Sequence, residues 1–262
     1  MARFCPLFSG SSGNCLYIGT GDGGILVDAG VSARRIERAL WAREIDPGSI
    51  RAVLVTHEHS DHISGLRVFC KRFRIPVYAS EGTCAALRAE ASLDPSTLCL
   101  PITGDMTIAG FSVVPFATSH DARESCGYRI VLPDDRCVGV ATDLGIMTQT
   151  VRDHLRGCDL IHIESNHDIR MLENGPYPYP LKRRILSERG HLSNEACARE
   201  LPSLVREGTT RILLGHLSRE NNLPDLAYAT AQAELAACGM TENIDYILQV
   251  APPENDRSYL VF

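Results

Sequence analysis

Three histidines and one aspartate fall within His57-Glu58-His59-Ser60-Asp61-His62. Neutral imidazole and carboxylate are ligands for divalent zinc, manganese or iron. The plain alternative is a polar surface loop that is rich in histidine by chance. With only 9 histidines in 262 residues, that alternative is the weaker one. The preceding run Ala52-Val53-Leu54-Val55 is apolar and β-branched, so it reads as a buried strand. Ile63, Leu66, Phe69 and Cys70 follow at helical spacing. The cluster therefore sits on a strand-to-helix loop, where His57 and His59 can point one way while Asp61 and His62 turn back beneath them.

Such a loop needs further ligands, and strand ends elsewhere offer them. His57, His120, Asp143, Glu164 and His216 each lie at or just beyond the C-terminal end of an expected strand. Groups delivered from strand ends converge on one edge of a sheet, the usual place for an α/β active site. A lone histidine such as His120 is ordinarily a satisfied polar side chain; the repeated placement is what argues for a shared site. His57, His59 and His120 with one carboxylate oxygen of Asp143 make a four-ligand set. Asp61, His62 and His216 with the other oxygen make a second. Two metals bridged in this way can share a hydroxide, which supplies a nucleophile near neutral pH. Asp28 ends another strand; it could be a ligand, but a role in orienting ligands is preferred.

The elements that must position these groups follow from the pattern along the chain. Strands are expected at Arg3–Phe8, 15–18, 24–28, 52–55, 76–79, 111–116, 127–132, 136–142, 160–164, 211–214, 246–250 and 258–261. Helices are expected over about 33–41, from the metal loop to Phe73, and over 81–90, 148–155, 194–205 and 224–238. Ser32 is a candidate cap for the first helix, and Ser193 or Asn194 for the fifth. The stretch Asn174-Gly175-Pro176-Tyr177-Pro178-Tyr179-Pro180 cannot be regular structure, because three prolines alternate with tyrosines. The loop Ser9-Gly10-Ser11-Ser12-Gly13-Asn14 is either a plain hairpin connection or a set of N–H and hydroxyl groups that approaches a substrate anion.

Bulk properties bound the class. A chain of 262 residues can bury a substantial core. Hydrophobic content of 44% and charged content of 22% are ordinary for a soluble globular protein. The N-terminal stretch has no apolar leader core and no run is long enough to span a membrane, so a cytoplasmic protein without membrane contact is expected. The 10 cysteines form no C-x-x-C pair, which suits reduced thiols. A net charge of −6 argues against coating nucleic acid by charge alone. Two basic clusters stand out locally, Lys71-Arg72-Phe73-Arg74 and Lys182-Arg183-Arg184. No repeat or linker divides the chain, so residues 1–262 are expected to form a single domain.

His57-x-His59-x-Asp61-His62, followed by His120, Asp143 and His216, resembles the metallo-β-lactamase fold superfamily. The resemblance runs from Asp28-Ala29-Gly30 to His216. It implies an α/β (α+β) chain folded as a four-layer αββα sandwich. Ser9 to Asn14, Thr118-Ser119-His120-Asp121, Glu164 to Asp168, Gly190 to Asn194 and Leu214 to Asn222 look like the YycJ/WalJ subgroup, which implies 5′→3′ exonuclease activity on DNA. Gly127-Tyr128-Arg129 and the pair His191 and His216 also resemble ribonuclease Z. By that analogy His191 assists proton transfer near the scissile phosphate, while Asp61 orients the hydroxide. A cysteine ligand stands where Asp143 does in secreted zinc β-lactamases, which disfavours a role in antibiotic resistance. Flavodiiron oxidoreductases carry a glutamate where His59 stands, so hydrolysis is favoured over redox chemistry.

The expectation is therefore a phosphodiesterase with two divalent ions, Zn²⁺ or Mn²⁺, that acts on nucleic acid, DNA in preference to RNA. Ser11, Ser12, Asn14, Asn166 and Asn194 are candidate donors to phosphate oxygens. The rivals are a ribonuclease acting on RNA ends and a small-molecule hydrolase of cyclic nucleotides, lactones, thioesters or β-lactams. A protein whose metal only braces the fold is a third, disfavoured by the intact ligand set.

Overall fold

The computed structural model describes residues 1–256 and 259–262. Apolar runs buried on both faces form two seven-stranded sheets. In the first, β1 (Arg3–Phe8), β2 (Cys15–Thr20) and β3 (Gly23–Val27) form an antiparallel meander, and β4 (Ile50–Leu54), β5 (Val77–Ala79) and β6 (Cys99–Pro101) continue it in parallel. The second repeats this plan. There β7 (Met106–Ile108), β8 (Phe111–Ala117), β9 (Cys126–Val131) and β10 (Cys137–Ala141) are antiparallel, and β11 (Leu160–Glu164), β12 (Arg211–Gly215) and β13 (Ile247–Val250) run parallel. The last strand, β14 (Leu260–Val261), closes the first sheet against β1.

Nine α-helices complete the described residues: α1 (Ala33–Trp41), α2 (Ser60–Ile63), α3 (Leu66–Phe73), α4 (Glu81–Ala89), α5 (Gln149–Leu155), α6 (Ile169–Asn174), α7 (Tyr179–Ile185), α8 (Asn194–Arg206) and α9 (Pro224–Ala237). Three apolar layers hold the sandwich together. Leu26 and Val53 pack with Ile36, Leu40, Phe69 and Leu87 from α1, α3 and α4. On the opposite pleat, Ile25 and Leu54 meet Tyr128 and Val140 of the second sheet. Ile161, Ile163 and Leu214 then pack with Val151, Leu201, Leu204 and Leu235 from α5, α8 and α9. The side-chain period of two lets one strand serve two layers. The result is the expected four-layer αββα order. Among the described residues, no helix is long and apolar enough to cross a membrane.

Several local expectations need correction. The helix after the metal loop is broken between α2 and α3, because Asn14 N–H takes the Asp61 carbonyl while Gly65 N–H goes to Ala29 O. Tyr179 and Pro180 lie inside α7 rather than in irregular chain. Proline is tolerated in a first turn, where its missing N–H would have had no intrahelical partner. Three short elements, β6, β7 and α6, lack a pattern long enough to be read. The expected last strand began at Ser258, which lies outside the described residues.

A candidate metal centre at the converging strand ends

Within each sheet, β3 and β4, and β8, β10, β11 and β12, point their C-terminal ends to the same edge. The residues just past those ends are Asp28, Thr56-His57, His120, Asp143, Glu164 and His216. Three of them, Asp28 (φ 63°), Asp143 (φ 56°) and His216 (φ 54°), take the left-handed conformation. Non-glycine residues held there cost of order 1–3 kcal/mol and cluster at functional sites. Close stitching of the loops pins them. Asn14 N–H donates to Asp61 O, Gly30 N–H to Asn14 O and Ala29 N–H to His62 O, each at 2.8 Å. Gly30 is required at this junction, since a Cβ would lie 1.7 Å from Asp61 O.

Each of four histidines has one ring nitrogen tied to an oxygen behind it. Nδ1 of His57 meets Thr56 Oγ1 at 3.0 Å and Nδ1 of His62 meets Asp28 Oδ2 at 2.8 Å. Nδ1 of His120 meets Gly190 O at 3.1 Å and Nδ1 of His216 meets Glu164 Oε1 at 2.8 Å. The Asp28 carboxylate also accepts from Thr56 N and Oγ1, so it orients the loop rather than entering the site. Tying one nitrogen leaves the other to face the centre, the arrangement found around metal-bound imidazoles. His120 Nε2 lies 3.3 Å from His59 Nδ1. His62 Nε2 lies 3.2 Å from Asp143 Oδ2 and 3.6 Å from Asp61 Oδ2, and His216 Nε2 is 3.7 Å from Asp61 Oδ2.

The donor set fits divalent cations. His57 Nε2 and His216 Nε2 are buried with no hydrogen-bond partner, a state that costs about 1–3 kcal/mol per group without a ligand. Ligand atoms within 4.8 Å of one another group as His57, His59 and His120, as His57, His62 and Asp143, as Asp61, His62 and His216, and as Asp143, Glu164, His191 and His216.

Charge divides the site. Burial would raise the Asp143 carboxyl, but the charges of His216 and His62 overcome it and hold it well below the usual range. Burial would lower His62 and His216; the carboxylates outweigh it, lifting His62 well above its ordinary value and His216 to about 10. His57 and His120 go the other way, lowered chiefly by burial. Glu164 is fully buried, yet the imidazoles of His191 and His216 draw its carboxyl down to about 2. It accepts from Nδ1 of both at 2.8 Å through Oε1, and from Leu144 and Leu192 N–H through Oε2. Its strand-end position is the only trace of this role in the sequence.

A pocket over the centre is lined by Ser11, His59, Asp61, His120, Asp143, Asn166, His191 and His216, together with Tyr177, Leu181, Arg184, Ile185 and Ser218. Ser11 and Asn166 therefore face it, and Asn166 Nδ2 also donates to His216 O. The other three candidate phosphate donors do not line it. Ser12 accepts from Arg219 at the surface. Asn14 turns inward, with Oδ1 accepting from Gly10 N–H and Nδ2 3.1 Å from His62 Nε2. Asn194 is a correction: it is buried, accepts from Ser165 Oγ and donates to Asn222 Oδ1, so its amide braces loops behind the site. Arg184 belongs to the basic cluster Lys182-Arg183-Arg184 that the sequence offered for the phosphate backbone; Tyr177 was not a candidate, because only the folded chain brings the segment around α7 over the metal loop.

Known proteins resemble this chain. The chain matches a family model described as the β-lactamase superfamily domain over residues 24–216. It is 38% identical over 227 residues to exodeoxyribonuclease YycJ of Bacillus anthracis, covering 86% of each chain. It is 36% identical over 256 residues to exodeoxyribonuclease WalJ of Streptococcus pneumoniae strain D39, covering 96% of this chain and 95% of that one. The crystal structure of the metallo-β-lactamase fold protein YhfI of Bacillus subtilis aligns with a TM-score of 0.73 at 16% identity, over 97% and 98% of the two chains. The chain belongs to the metallo-β-lactamase superfamily, and within it to the family of YycJ and WalJ.

Proposed function

We propose that the protein is a metal-dependent phosphodiesterase that removes nucleotides from DNA ends in the 5′→3′ direction, with the whole chain acting as one catalytic domain. The observation that carries the chemistry is the place of Asp143, between the His57–His59–His120 group and the Asp61–His62–His216 group. Its Oδ1 is 3.7 Å from His120 Nε2 and its Oδ2 3.2 Å from His62 Nε2. In this reading His57, His59 and His120 hold one ion, Asp61, His62 and His216 hold the other, and Asp143 serves both. Two Zn²⁺ or Mn²⁺ ions there supply Lewis-acid charge neutralisation and water activation near neutral pH. The DNA substrate follows from the relatives named exodeoxyribonuclease.

The chain's own residues do the rest. Asp61 is partly exposed at the pocket rim, where its carboxylate would accept a hydrogen bond from the attacking water and orient it. His191 is held at Nδ1 by Glu164, which turns Nε2 to the pocket; an imidazolium there would pass its Nε2 proton to the departing oxygen, and the Glu164 charge would steady that cation. Ser11 and Asn166 donate to phosphate oxygens from the pocket wall. Nine of ten free cysteines are buried and none is disulfide-bonded, which suits a reducing cytoplasm.

The test is purified protein with Mn²⁺ or Zn²⁺ on 5′- and 3′-labelled DNA, on matched RNA, and on a small chromogenic phosphodiester. Stepwise release of mononucleotides from the DNA 5′ end, abolished by Asp143→Asn, is expected. Intact DNA with either metal overturns the reading. Hydrolysis of only RNA or only the small diester moves it to the corresponding rival.

A further inference from the structure

We propose that Tyr177 and Arg184 form the seat for the terminal nucleotide, the base stacked on the Tyr177 ring and a phosphate held by the Arg184 guanidinium; this rests on the nuclease reading above. The pocket over the metal centre holds about 230 Å³. That lies below the ~300–1,000 Å³ of drug-sized sites, so it suits one nucleotide unit rather than a threaded duplex. One wall is polar and metal-facing. The other comes from the segment around α7 and pairs an aromatic ring with a cation.

Arg184 is the one arginine or lysine lining this pocket among the described residues. Its Nε and Nη2 donate to Asp121 Oδ2 and Oδ1 at 2.5 and 2.9 Å, and Asp121 Oδ1 lies 3.4 Å from His120 Nε2. Asp121 thus fixes the plane of the guanidinium beside the centre. Guanidinium has five donors, so those on Nη1 stay free for a phosphate oxygen. The neighbouring cations are engaged elsewhere: Lys182 donates to Glu173 O, and Arg189 to His120 O. Of the basic cluster Lys182-Arg183-Arg184, the third residue is the one that lines the pocket.

Tyr177 is half-buried in the pocket wall between Pro176 and Pro178, whose rings restrict the local backbone. Gly175 anchors the segment from the other side. A Cβ there would lie 2.6 Å from both Asn221 Oδ1 and Met171 O, so only glycine allows the close approach. A ring held in place before binding loses little freedom on stacking, and every base has a face to offer it. Leu181 and Ile185, four residues apart on α7, extend the apolar side of the seat.

The experiment compares DNA strands whose starting end, first established with 5′ and 3′ labels, carries either a normal nucleotide or an abasic one. With wild type, the abasic end should lower kcat/KM about tenfold, the scale of one base–aromatic stack. Tyr177→Ala should show that loss on normal DNA and no further penalty for the abasic end, while Tyr177→Trp should restore the penalty. Arg184→Ala should raise KM for both ends, with the melting temperature confirming the fold. A nuclease that degrades both ends equally, or a Tyr177→Ala enzyme that keeps the abasic penalty, overturns the seat and leaves the nuclease reading intact. No cleavage of any DNA by wild type overturns the nuclease reading itself.

Discussion

Glu164→Gln is the sharpest test of how the ligands are held. The carboxylate accepts four hydrogen bonds, from His191, His216, Leu144 and Leu192, and is fully buried. The amide has nearly the same shape but only one acceptor oxygen. With its NH₂ toward the main chain it faces two N–H donors, and turned the other way it is satisfied only if both imidazoles give up their Nδ1 protons. Each unsatisfied buried donor costs about 1–3 kcal/mol, so the metal-free protein should lose about 2–4 kcal/mol. For a chain of this size that is a fall of about 5–10 °C in melting temperature. Loss of an outer partner of a ligating histidine also weakens metal binding by roughly 10–100-fold. The carboxyl is drawn to about 2 in the folded state, below its unfolded value, so this stabilisation is present above the unfolded pKa and is lost as pH falls through the folded one. The deficit of Glu164→Gln should therefore be full at pH 7 and shrink on acidification toward pH 3. Calorimetry at several pH values and chelator competition with elemental analysis read both effects. A variant that melts within about 1 °C of wild type and keeps its metal would refute the reasoning.

Further outcomes follow from the same charges and burial. Metal added to apo protein in weak buffer at pH 7 should release roughly two protons, since His62 and His216 are held protonated by their carboxylates. Acidification should accordingly empty their site before that of His57 and His120, as seen by isothermal titration from pH 8 to 5.5. His162 lies buried between the sheets, and burial lowers it to about 3. Its folded value is below the unfolded one, so stability drops as pH falls below about 6.5. His162→Leu should recover about 2 kcal/mol of the loss between pH 7 and 4.5, measured by urea melts. A thiol reagent should label Cys238 quickly and the nine buried cysteines only on unfolding; several fast thiols would contradict the packing.

The main strands and helices were legible in the sequence because each carries a long, periodic pattern. Leu26 and Val53 alternate with Ile25 and Leu54 in a way that only a doubly covered strand explains. The ligand-type residues were legible for a related reason: imidazoles and carboxylates at strand ends have no packing role to account for them. Shorter pieces were not. Three-residue strands such as β6 hold no period, and α7 carries Pro180 in its first turn, which reads as a breaker until the first-turn exemption is seen.

By itself, then, the sequence determined that this chain would place histidines and aspartates at the strand ends of an α/β fold, since residue type and spacing are local properties; the four-layer αββα order was implied only by the family resemblance. Tertiary structure alone decided which ring nitrogen faces the centre, because Asp28, Gly190 O and Glu164 reach those rings from distant segments. It also decided that Asn194 turns away from the pocket while Tyr177 and Arg184 turn into it. Side-chain direction depends on contacts between elements far apart in the chain, and no spacing along one strand records them.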